Sequence, residues 1–188
     1  MRALAALALA LVPTLALAHG GQPQVLRLDF APQLPGQVFA STDNQGPYIG
    51  EPAAGFRWLC EDAIAANAGV RFVTPLGAGP THWLVGTQDG LFETRNRGCD
   101  FAHLAGPLAA QRAVAASRHP ARPAEVLVAT DGFGQPNDVF RTTDGGETWA
   151  AAGLAVPDRI TGLVRSEANP AVVYVAHALG AARSDDGG

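Results

Sequence analysis

The sequence contains no lysine and few charges of either sign. Its 188 residues include 13 basic ones, all arginine, against 17 acidic ones, and the net charge is −4. No run of basic residues occurs, so the chain lacks the clustered positive charge of nucleic-acid-binding proteins, and we expect no nucleic-acid partner. The absence of lysine, with abundant Ala, Gly and Pro, is typical of a GC-rich bacterial genome.

Long apolar segments are absent after residue 18. Residues 1–18 begin with Met-Arg, continue with an Ala/Leu run and end in the A-x-A site Ala-Leu-Ala. This pattern predicts a secretory signal peptide that is cleaved after Ala18. The alternative is an uncleaved membrane anchor, which the short run and Pro13 disfavour. We expect an exported bacterial protein, extracellular, periplasmic or at the cell surface, with no membrane span after cleavage.

Cysteine is also scarce. Export would place Cys60 and Cys99 in an oxidising compartment, where a disulfide can persist, and we expect the two to pair. The alternative is two unpaired core residues, because the sequence does not show how closely their Cα atoms approach. Two cysteines without histidines at ligand spacing do not form a zinc site, so we expect no metal and no cofactor.

Familiar catalytic patterns are missing as well. The chain has no G-x-S-x-G, no P-loop, no H-E-x-x-H and no C-x-x-C. No segment after the leader shows sustained helical periodicity. Glycine and proline, with 22 and 14 residues, are instead frequent, as in chains of many short strands joined by turns. The composition favours an all-β domain and assigns no catalytic residue.

The most informative stretch is residues 142–149, which read Thr-Thr-Asp-Gly-Gly-Glu-Thr-Trp. The Thr142 hydroxyl and the Asp144 carboxylate can accept hydrogen bonds from nearby backbone N–H groups. Gly146 and the glycine before it can adopt positive φ without a Cβ clash. Thr148 and Trp149 then begin the next strand, and the Trp ring can cover the turn. This pattern predicts a tight hairpin turn.

The same pattern recurs along the chain. Its glycines, spaced 43, 48 and 42 residues apart, are Gly55, Gly98, Gly146 and Gly188. The other polar residues that recur in this frame are Thr94, Asn96, Ser184 and Asp186. Residues 51–58 keep only the Gly and the Trp. We call residues 94–101, 142–149 and 184–188 the polar turns.

A second motif repeats with the same period. Prolines that precede apolar strands, 45, 43 and 47 residues apart, are Pro35, Pro80, Pro123 and Pro170. A period of about 40–50 residues in a strand-rich chain indicates propeller blades. The second strand of each repeat, including the one that contains Tyr174, is apolar on both faces, and we expect it to be buried between blades. The last strands of the first three repeats are expected at residues 57–64, 99–103 and 148–151.

The polar turns resemble the Asp box of BNR-type β-propellers, a family that includes bacterial sialidases, sortilin-like receptors and photosystem II assembly factors. The resemblance implies an all-β fold, a partial β-propeller of about three and a half to four four-stranded blades. The expected repeats span residues 24–64, 69–104, 110–152 and 158–188. The fourth lacks its last strand, so we expect a fragment of a longer protein. The alternative is a four-bladed ring whose missing strand comes from residues 22–25.

By the same resemblance, the polar turns are structural and functional residues lie on loops at the other face of the blades. Polar loop residues could bind a glycan or Ca²⁺ through oxygen ligands. The candidates for ligand binding are Asp43, Asn44, Tyr48, Asp131, Asn137 and Asp138. The alternative, which we favour, is that they are ordinary turn residues.

The resemblance leaves the activity open. A sialidase needs an arginine cluster and a Tyr nucleophile, whereas the only tyrosines are Tyr48 and Tyr174, and Arg57 precedes Trp instead of Ile-Pro. A xyloglucanase-type hydrolase needs two flanking carboxylates. Those that qualify by type alone are Asp62, Asp89, Asp131 and Asp138.

We expect a non-catalytic binding or scaffolding protein for a glycan or protein ligand. The alternative is a glycoside hydrolase with most catalytic residues outside this chain.

Overall fold

The computed structural model describes residues 24–30, 34–43, 46–59, 63–64, 69–132 and 136–188. These residues form four antiparallel sheets. The first contains β1 (Val25–Phe30), β2 (Val38–Thr42), β3 (Tyr48–Glu51) and β4 (Gly55–Trp58). The second contains β5 (Phe72–Pro75), β6 (Trp83–Thr87), β7 (Gly90–Thr94) and β8 (Ala102–His103). The third contains β9 (Ala113–Arg118), β10 (Val126–Thr130), β11 (Val139–Thr142) and β12 (Ala150–Ala151). The fourth contains β13 (Ile160–Arg165), β14 (Val173–His177) and β15 (Gly180–Ser184).

The four sheets are arranged as successive blades of a propeller. Strands follow chain order within each sheet, so each strand pairs with the one before it. The first strands of neighbouring sheets touch: β1 contacts β5, β5 contacts β9, and β9 contacts β13. Sheets that pack in succession around their first strands are propeller blades. The predicted all-β fold, a partial β-propeller, is confirmed, and the sheets are called blades 1 to 4 below.

Neighbouring blades enclose apolar cores. Phe39 and Ile49 of blade 1 pack with Val73, Trp83 and Val85 of blade 2 in one buried cluster. The Phe39 and Trp83 rings meet edge to face, with 5.6 Å between their centroids, a favourable geometry for an aromatic pair. This core fixes blade 1 against blade 2.

Strand β10 shows why the second strands are apolar on both faces. Val126 and Val128 belong to the core between blades 2 and 3, whereas Leu127 and Ala129 belong to the core between blades 3 and 4. Successive side chains of a strand point to opposite faces, so a strand between two blades buries all of them. The predicted double burial is confirmed in β2, β6 and β10, whose residues are all buried.

Blades 1 and 4 each expose an apolar face. On blade 1, Leu28, Phe30 and Trp58 are 52%, 62% and 52% exposed, and on blade 4, Val164 and Tyr174 are 58% and 43% exposed. The predicted burial of the strand that contains Tyr174 is therefore wrong for one of its faces. Strand β14 packs against blade 3 on one side only, and its other side faces away from blade 3.

The last strands of blades 2 and 3 are shorter than predicted. The segments expected at residues 99–103 and 148–151 pair only in β8 and β12, whereas the segment expected at residues 57–64 pairs in β4 and continues into residues 60–62, which lie outside the described part of the chain. One reason lies in the polar turns, because the backbone N–H groups of Cys99 and Thr148 donate to turn side chains instead of to a neighbouring strand. Backbone N–H groups that donate to turn side chains cannot donate to the neighbouring strand.

Several predictions concern residues outside the described part of the chain. They include the signal peptide at residues 1–18 and the side chains of Asn44, Cys60 and Asp62. Cys99 is exposed and has no disulfide partner among the described residues. Cys60 lies outside them, so the pairing of the two stays a prediction. The alternative ring closure by residues 22–25 is wrong at Val25, which pairs with blade 1 as part of β1. No helix within the described ranges is long and apolar enough to cross a bilayer.

Candidate functional site

The polar turn at residues 142–149 is closed by its own side chains. The Thr142 hydroxyl donates to Asp144 Oδ1 over 2.8 Å and accepts the Gly146 N–H at 2.9 Å. Asp144 also accepts the backbone N–H of Thr148 at 3.0 Å and the Thr148 hydroxyl. Hydrogen bonds from Thr148, and then from Thr142, lower the pKa of Asp144. The Trp149 Nε1–H donates to the Gly146 carbonyl oxygen at 3.1 Å. These side chains bond within the turn.

The other two polar turns repeat this arrangement. The Thr94 hydroxyl donates to Asn96 and accepts the Gly98 N–H, both over 2.9 Å. The Ser184 hydroxyl donates to Asp186 and accepts, at 2.9 Å, the backbone N–H four residues later. The bond from Ser184 lowers the pKa of Asp186. One set of contacts therefore recurs in three blades.

The connection between β10 and β11, called the blade 3 loop below, contains three of the candidate ligand residues. Their side chains bond to other parts of the protein. Asp131 is 2% exposed and forms an ion pair with Arg159 over 3.2 Å. Asn137 is 1% exposed, exchanges hydrogen bonds with Gly132 and donates to the Asp158 carbonyl oxygen at 3.1 Å. These two side chains pin the loop to the segment that precedes β13.

Asp138 has a similar position. Its carboxylate accepts backbone N–H groups from Val139 at 2.7 Å, Leu154 at 3.0 Å and Gly153 at 3.2 Å. It therefore anchors the chain after β12 to the start of β11. Three backbone donors satisfy most of its hydrogen-bonding capacity.

The remaining loop candidates are dispersed. Asp43 is exposed and accepts the Gln24 N–H at 3.0 Å. Tyr48 is half-buried in β3, between its cross-strand partners Ala40 and Trp58. Among the residues that the structure describes, no three His, Cys, Asp or Glu side chains form a group that could hold a metal ion.

A charged cavity of about 340 Å³ opens where the carboxyl ends of β1, β9 and β13 converge. We call it the axial cavity. Its charged lining residues, from blades 1, 3 and 4, are Arg27, Asp29, Arg118, Arg165 and Glu167, and His119 lies among them. The connection between β9 and β10 also contacts the polar turn at residues 142–149, because the Gly145 N–H donates to the Ala124 carbonyl oxygen at 3.1 Å. The axial cavity therefore lies on the polar-turn face, at the opposite ends of the strands from the blade 3 loop.

Arg27 and Asp29 form an ion pair on β1, the first strand of blade 1. The Arg27 guanidinium donates to both oxygens of Asp29, over 2.7 and 2.8 Å. It also donates to the Ala116 carbonyl oxygen of blade 3 at 2.7 Å, and it lies 6.0 Å from the centroid of the Phe72 ring. This arginine ties blade 1 to blade 3, and its charge is matched by one carboxylate.

Arg118 ends β9 beside this pair without a comparable partner. Its side chain is half-buried, and its Nε–H is shut off from solvent without a hydrogen-bond partner. Burial lowers the pKa of Arg118, and the charge of Asp29 partly opposes that effect. Within the described part of the chain, none of the ion pairs involves Arg118.

Beneath the axial cavity, a buried ion cluster joins blades 3 and 4. Arg165 is 4% exposed and donates to Glu125, itself 2% exposed, at 2.8 Å and to the Gly187 carbonyl oxygen at 2.9 Å. Arg141 and Arg122 approach the same carboxylate at 3.1 and 2.8 Å. Burial opposes the ionisation of Glu125, but the hydrogen bond and charge of Arg165 and the other two arginines outweigh it, so the pKa of Glu125 is lowered.

His119 closes the connection between β9 and β10. Its Nδ1 accepts the backbone N–H groups of Ala121 and Arg122, each at 3.1 Å. Burial, and then the charge of Arg122, lower the pKa of His119. The neutral imidazole that accepts these two bonds is therefore the favoured form.

A second cavity lies at the periphery, between blades 3 and 4. It has a volume of about 580 Å³ and is lined by residues of β14, β15 and the segment after β12. Blades 1 to 3 have a fourth strand beside their third, whereas β15 is the last strand of its sheet. The peripheral cavity is therefore the space beside an unpaired strand edge.

The loop motifs did not point to the axial cavity, yet the sequence held a signal for it. Strand β1 alternates exposed apolar residues with Arg27 and Asp29, which is the reverse of a strand whose inner side is apolar. Arg118 likewise ends an otherwise small and apolar strand. Charges at the inner strands of two blades indicate a polar axis.

Comparison with known proteins identifies the fold. No family model matches the chain, and no curated protein sequence matches it. An ancestral GH74 enzyme matches in structure with a TM-score of 0.71 and 20% identity, over 90% of this chain and 23% of that one. The chain is a partial β-propeller.

Two further solved structures have the same architecture. The GH74 enzyme of Niastella koreensis matches with a TM-score of 0.62 and 16% identity, over 87% of this chain and 26% of that one. YCF48 bound to D1 peptide matches with a TM-score of 0.63 and 15% identity, over 85% of this chain and 50% of that one. The chain thus spans about a quarter of the GH74 enzymes and half of YCF48. At these identities the likeness concerns the fold.

Proposed function

We propose that the chain is part of an exported, non-catalytic β-propeller that binds or scaffolds a glycan or protein ligand. The observation that carries the proposal is the axial cavity, because a concave site lined by charges from three rigid blades is suited to hold a ligand. The similarity to YCF48 bound to D1 peptide supports a protein ligand. Export, and the pairing of Cys60 with Cys99, belong to the same proposal and rest on the sequence.

Under this proposal the polar turns are Asp boxes of the BNR type, and their role is structural. Their Thr, Ser, Asp and Asn side chains are occupied by hydrogen bonds within each turn. In the blade 3 loop, Asp131, Asn137 and Asp138 are likewise occupied by protein partners. Groups held in this way are poor ligands for a sugar or a calcium ion, because binding would first have to break these bonds.

The second candidate is a glycoside hydrolase whose catalytic residues lie mostly outside this chain. The structural similarity to GH74 enzymes favours it. Of the carboxylates on the described residues, Asp131 is paired with Arg159 and Asp138 accepts three backbone N–H groups. Neither is arranged as a general acid beside a second carboxylate.

Parallel assays of binding and turnover separate the two candidates. The intact protein is screened against arrays of glycans and peptides, and the same protein is incubated with xyloglucan and sialyllactose. We expect saturable binding of an array member and no release of reducing sugar or sialic acid. Turnover of either substrate by the intact protein would contradict the non-catalytic proposal and support the hydrolase.

A further inference from the structure

His119 is a buried titratable side chain on residues 119–125, the connection that joins β9 to β10. The residue is 8% exposed and lies in the wall of the axial cavity. Its Nδ1 accepts the backbone N–H groups of Ala121 and Arg122, each at 3.1 Å. An imidazole nitrogen that accepts a hydrogen bond carries no proton, so both bonds depend on the neutral ring. A proton on Nδ1 would therefore remove the two bonds together.

The charges that act on His119 come from three elements. They are Arg122 and Glu125 of the 119–125 connection, Arg141 of β11 and Arg165 of β13. The charge of Glu125 favours the imidazolium, whereas the three arginines oppose it. All three arginines already share the Glu125 carboxylate, at 2.8 to 3.1 Å. A protonated His119 would add a fourth positive charge to a cluster that has one negative charge.

The 119–125 connection also links three blades on the polar-turn face. The Pro123 carbonyl oxygen accepts the N–H of Gly77, between β5 and β6 of blade 2, at 2.9 Å. The next carbonyl oxygen, of Ala124, accepts the Gly145 N–H of the polar turn at residues 142–149. The Glu125 carboxylate reaches blade 4 through Arg165. The bonds to His119 Nδ1 fold the first half of this connection, so their loss would loosen the contacts of the second half.

We propose that the 119–125 connection is a pH-sensitive switch, in which protonation of His119 releases the contacts of Pro123 with blade 2 and of Ala124 with the polar turn while the blades stay folded. This inference goes beyond the binding function proposed above and does not depend on it. Because His119 and Pro120 line the axial cavity, the released connection also changes one wall of that cavity.

The pH range of the switch follows from the two titrating groups of the cluster. Burial, and then the charge of Arg122, lower the pKa of His119 from 6.5. The closed connection is therefore fully present above pH 6.5 and opens as pH falls below that value. The pKa of Glu125 is lowered from 4.5, so this carboxylate stays ionised down to pH 4.5. Between these values, His119 changes its charge and Glu125 keeps its own.

The first test is backbone amide hydrogen exchange of the intact protein, followed by nuclear magnetic resonance at about pH 7.5 and about pH 5. Exchange is expressed as protection factors, which correct for the intrinsic effect of pH. We expect the amides of Ala121, Arg122, Gly77 and Gly145 to lose protection by about tenfold or more at the lower pH. The Gly146 amide is the internal reference and should keep its protection, because it donates to the uncharged Thr142 hydroxyl.

Variants of His119 separate titration of its ring from a general effect of acid. His119→Asn places an acceptor oxygen on Cγ, where it can take the same two N–H groups without titrating, so we expect equal protection at both pH values. His119→Ala removes the acceptor and should show low protection at both. The control is His103→Asn, at an exposed histidine of β8, which should retain the loss of protection in acid.

A titration of the His119 ring supplies a readout that needs no variant. The nitrogen shifts of the ring and the amide shifts of Ala121 and Arg122 should change with one common midpoint, below pH 6.5. Different midpoints would overturn the proposal, as would unchanged protection in the wild type down to pH 4.5. Loss of protection in acid that persists in His119→Asn would assign the effect to another group. A loss confined to Ala121 and Arg122, with Gly77 and Gly145 unaffected, would contradict the release of contacts between the blades.

Discussion

At the scale of single residues, the polar turns differ in whether glycine occupies both of their positive-φ positions. Two consecutive residues have positive φ in each: Gly145 and Gly146, Gly187 and Gly188, but Arg97 and Gly98 in blade 2. Arg97 has φ 63°, a region that costs a non-glycine residue about 1–2 kcal/mol. The repeat thus identifies the position at which blade 2 departs from the favourable pattern.

Arg97→Gly should stabilise the protein by about 0.5 kcal/mol, because relief of the positive-φ strain exceeds the greater freedom of glycine in the unfolded chain. Its backbone contacts, from the Arg57 side chain at 2.8 Å and to Thr81 at 3.0 Å, need no side chain at residue 97. Urea unfolding measures the change. The control is Thr143→Gly, at a turn position without positive φ, which should be destabilising. A loss of stability in both variants would contradict the strain argument.

Gly86 has a different role, since it allows a close approach of two strands. A Cβ at this position would lie 2.0 Å from Cε1 of the fully buried Phe72. Gly86→Ala should therefore destabilise the protein by about 3 kcal/mol through overpacking. Gly79→Ala, where a Cβ meets nothing within 4 Å, is the control and should leave the urea midpoint nearly unchanged. Equal midpoints for the two variants would refute the packing argument.

At the scale of elements, the buried ion cluster is the main polar link between blades 3 and 4. Glu125→Gln removes the one carboxylate that faces Arg165, Arg141 and Arg122. Because it leaves buried Arg165 without its anion, we expect a loss of about 3–5 kcal/mol in unfolding free energy. The exposed pair of Glu147 with Arg95, at 3.0 Å, is the matched case, and Glu147→Gln should cost less than about 1 kcal/mol.

The same buried ion cluster makes the stability of the protein depend on pH. The pKa of Glu125 is lowered from 4.5, against burial, by Arg165 and the other arginines, so its stabilisation is fully present above pH 4.5 and is lost as pH falls through the folded-state pKa. The stability difference between wild type and Glu125→Gln should be constant above pH 4.5 and shrink below it. A difference that does not change with pH would contradict the assigned ionised state.

His119 changes stability in a separate window. Its pKa is lowered from 6.5, chiefly by burial, so its contribution is present above pH 6.5 and declines as pH falls below that value. Wild type and Glu125→Gln both retain His119 and both show this decline. Because the charge of Glu125 raises the pKa of His119, the carboxylate itself is tested by the part of the stability difference that is lost below pH 4.5.

The sequence predicted the elements well and their ends poorly. The period of the polar turns and the prolines located the blades, because each blade repeats the same turn and the same doubly buried second strand. The last strands were predicted too long, since the pattern did not reveal that turn side chains take the N–H groups of Cys99 and Thr148. Tyr174 was predicted buried because an apolar strand does not reveal which of its faces has a neighbour.

The site was less accessible to sequence reasoning. Long loops drew attention to Asp131, Asn137 and Asp138, whereas the structure shows these side chains bonded to the protein. Arg27 and Arg118 come from different blades and meet only through the curvature of the array. The sequence shows the charges on the two inner strands, but it does not show that they meet, because that depends on the angle between the blades.

At the scale of the whole molecule, the described blades form an open array with a charged axis. The apolar faces of blades 1 and 4 are exposed, and three buried cores lie between successive blades. Rigid blades hold the axial residues in place, so the axial cavity is a preformed candidate site on the polar-turn face. At the opposite face, Asp131, Asn137 and Asp138 bond to the protein.

A crystal structure of the intact protein with a ligand found on the glycan and peptide arrays tests this account most directly. We predict that the ligand lies in the axial cavity, in contact with residues of blades 1, 3 and 4. Ligand bound instead at the loops of residues 43–48 and 131–138, with the axial cavity unchanged, would contradict the claim that binding occurs on the polar-turn face.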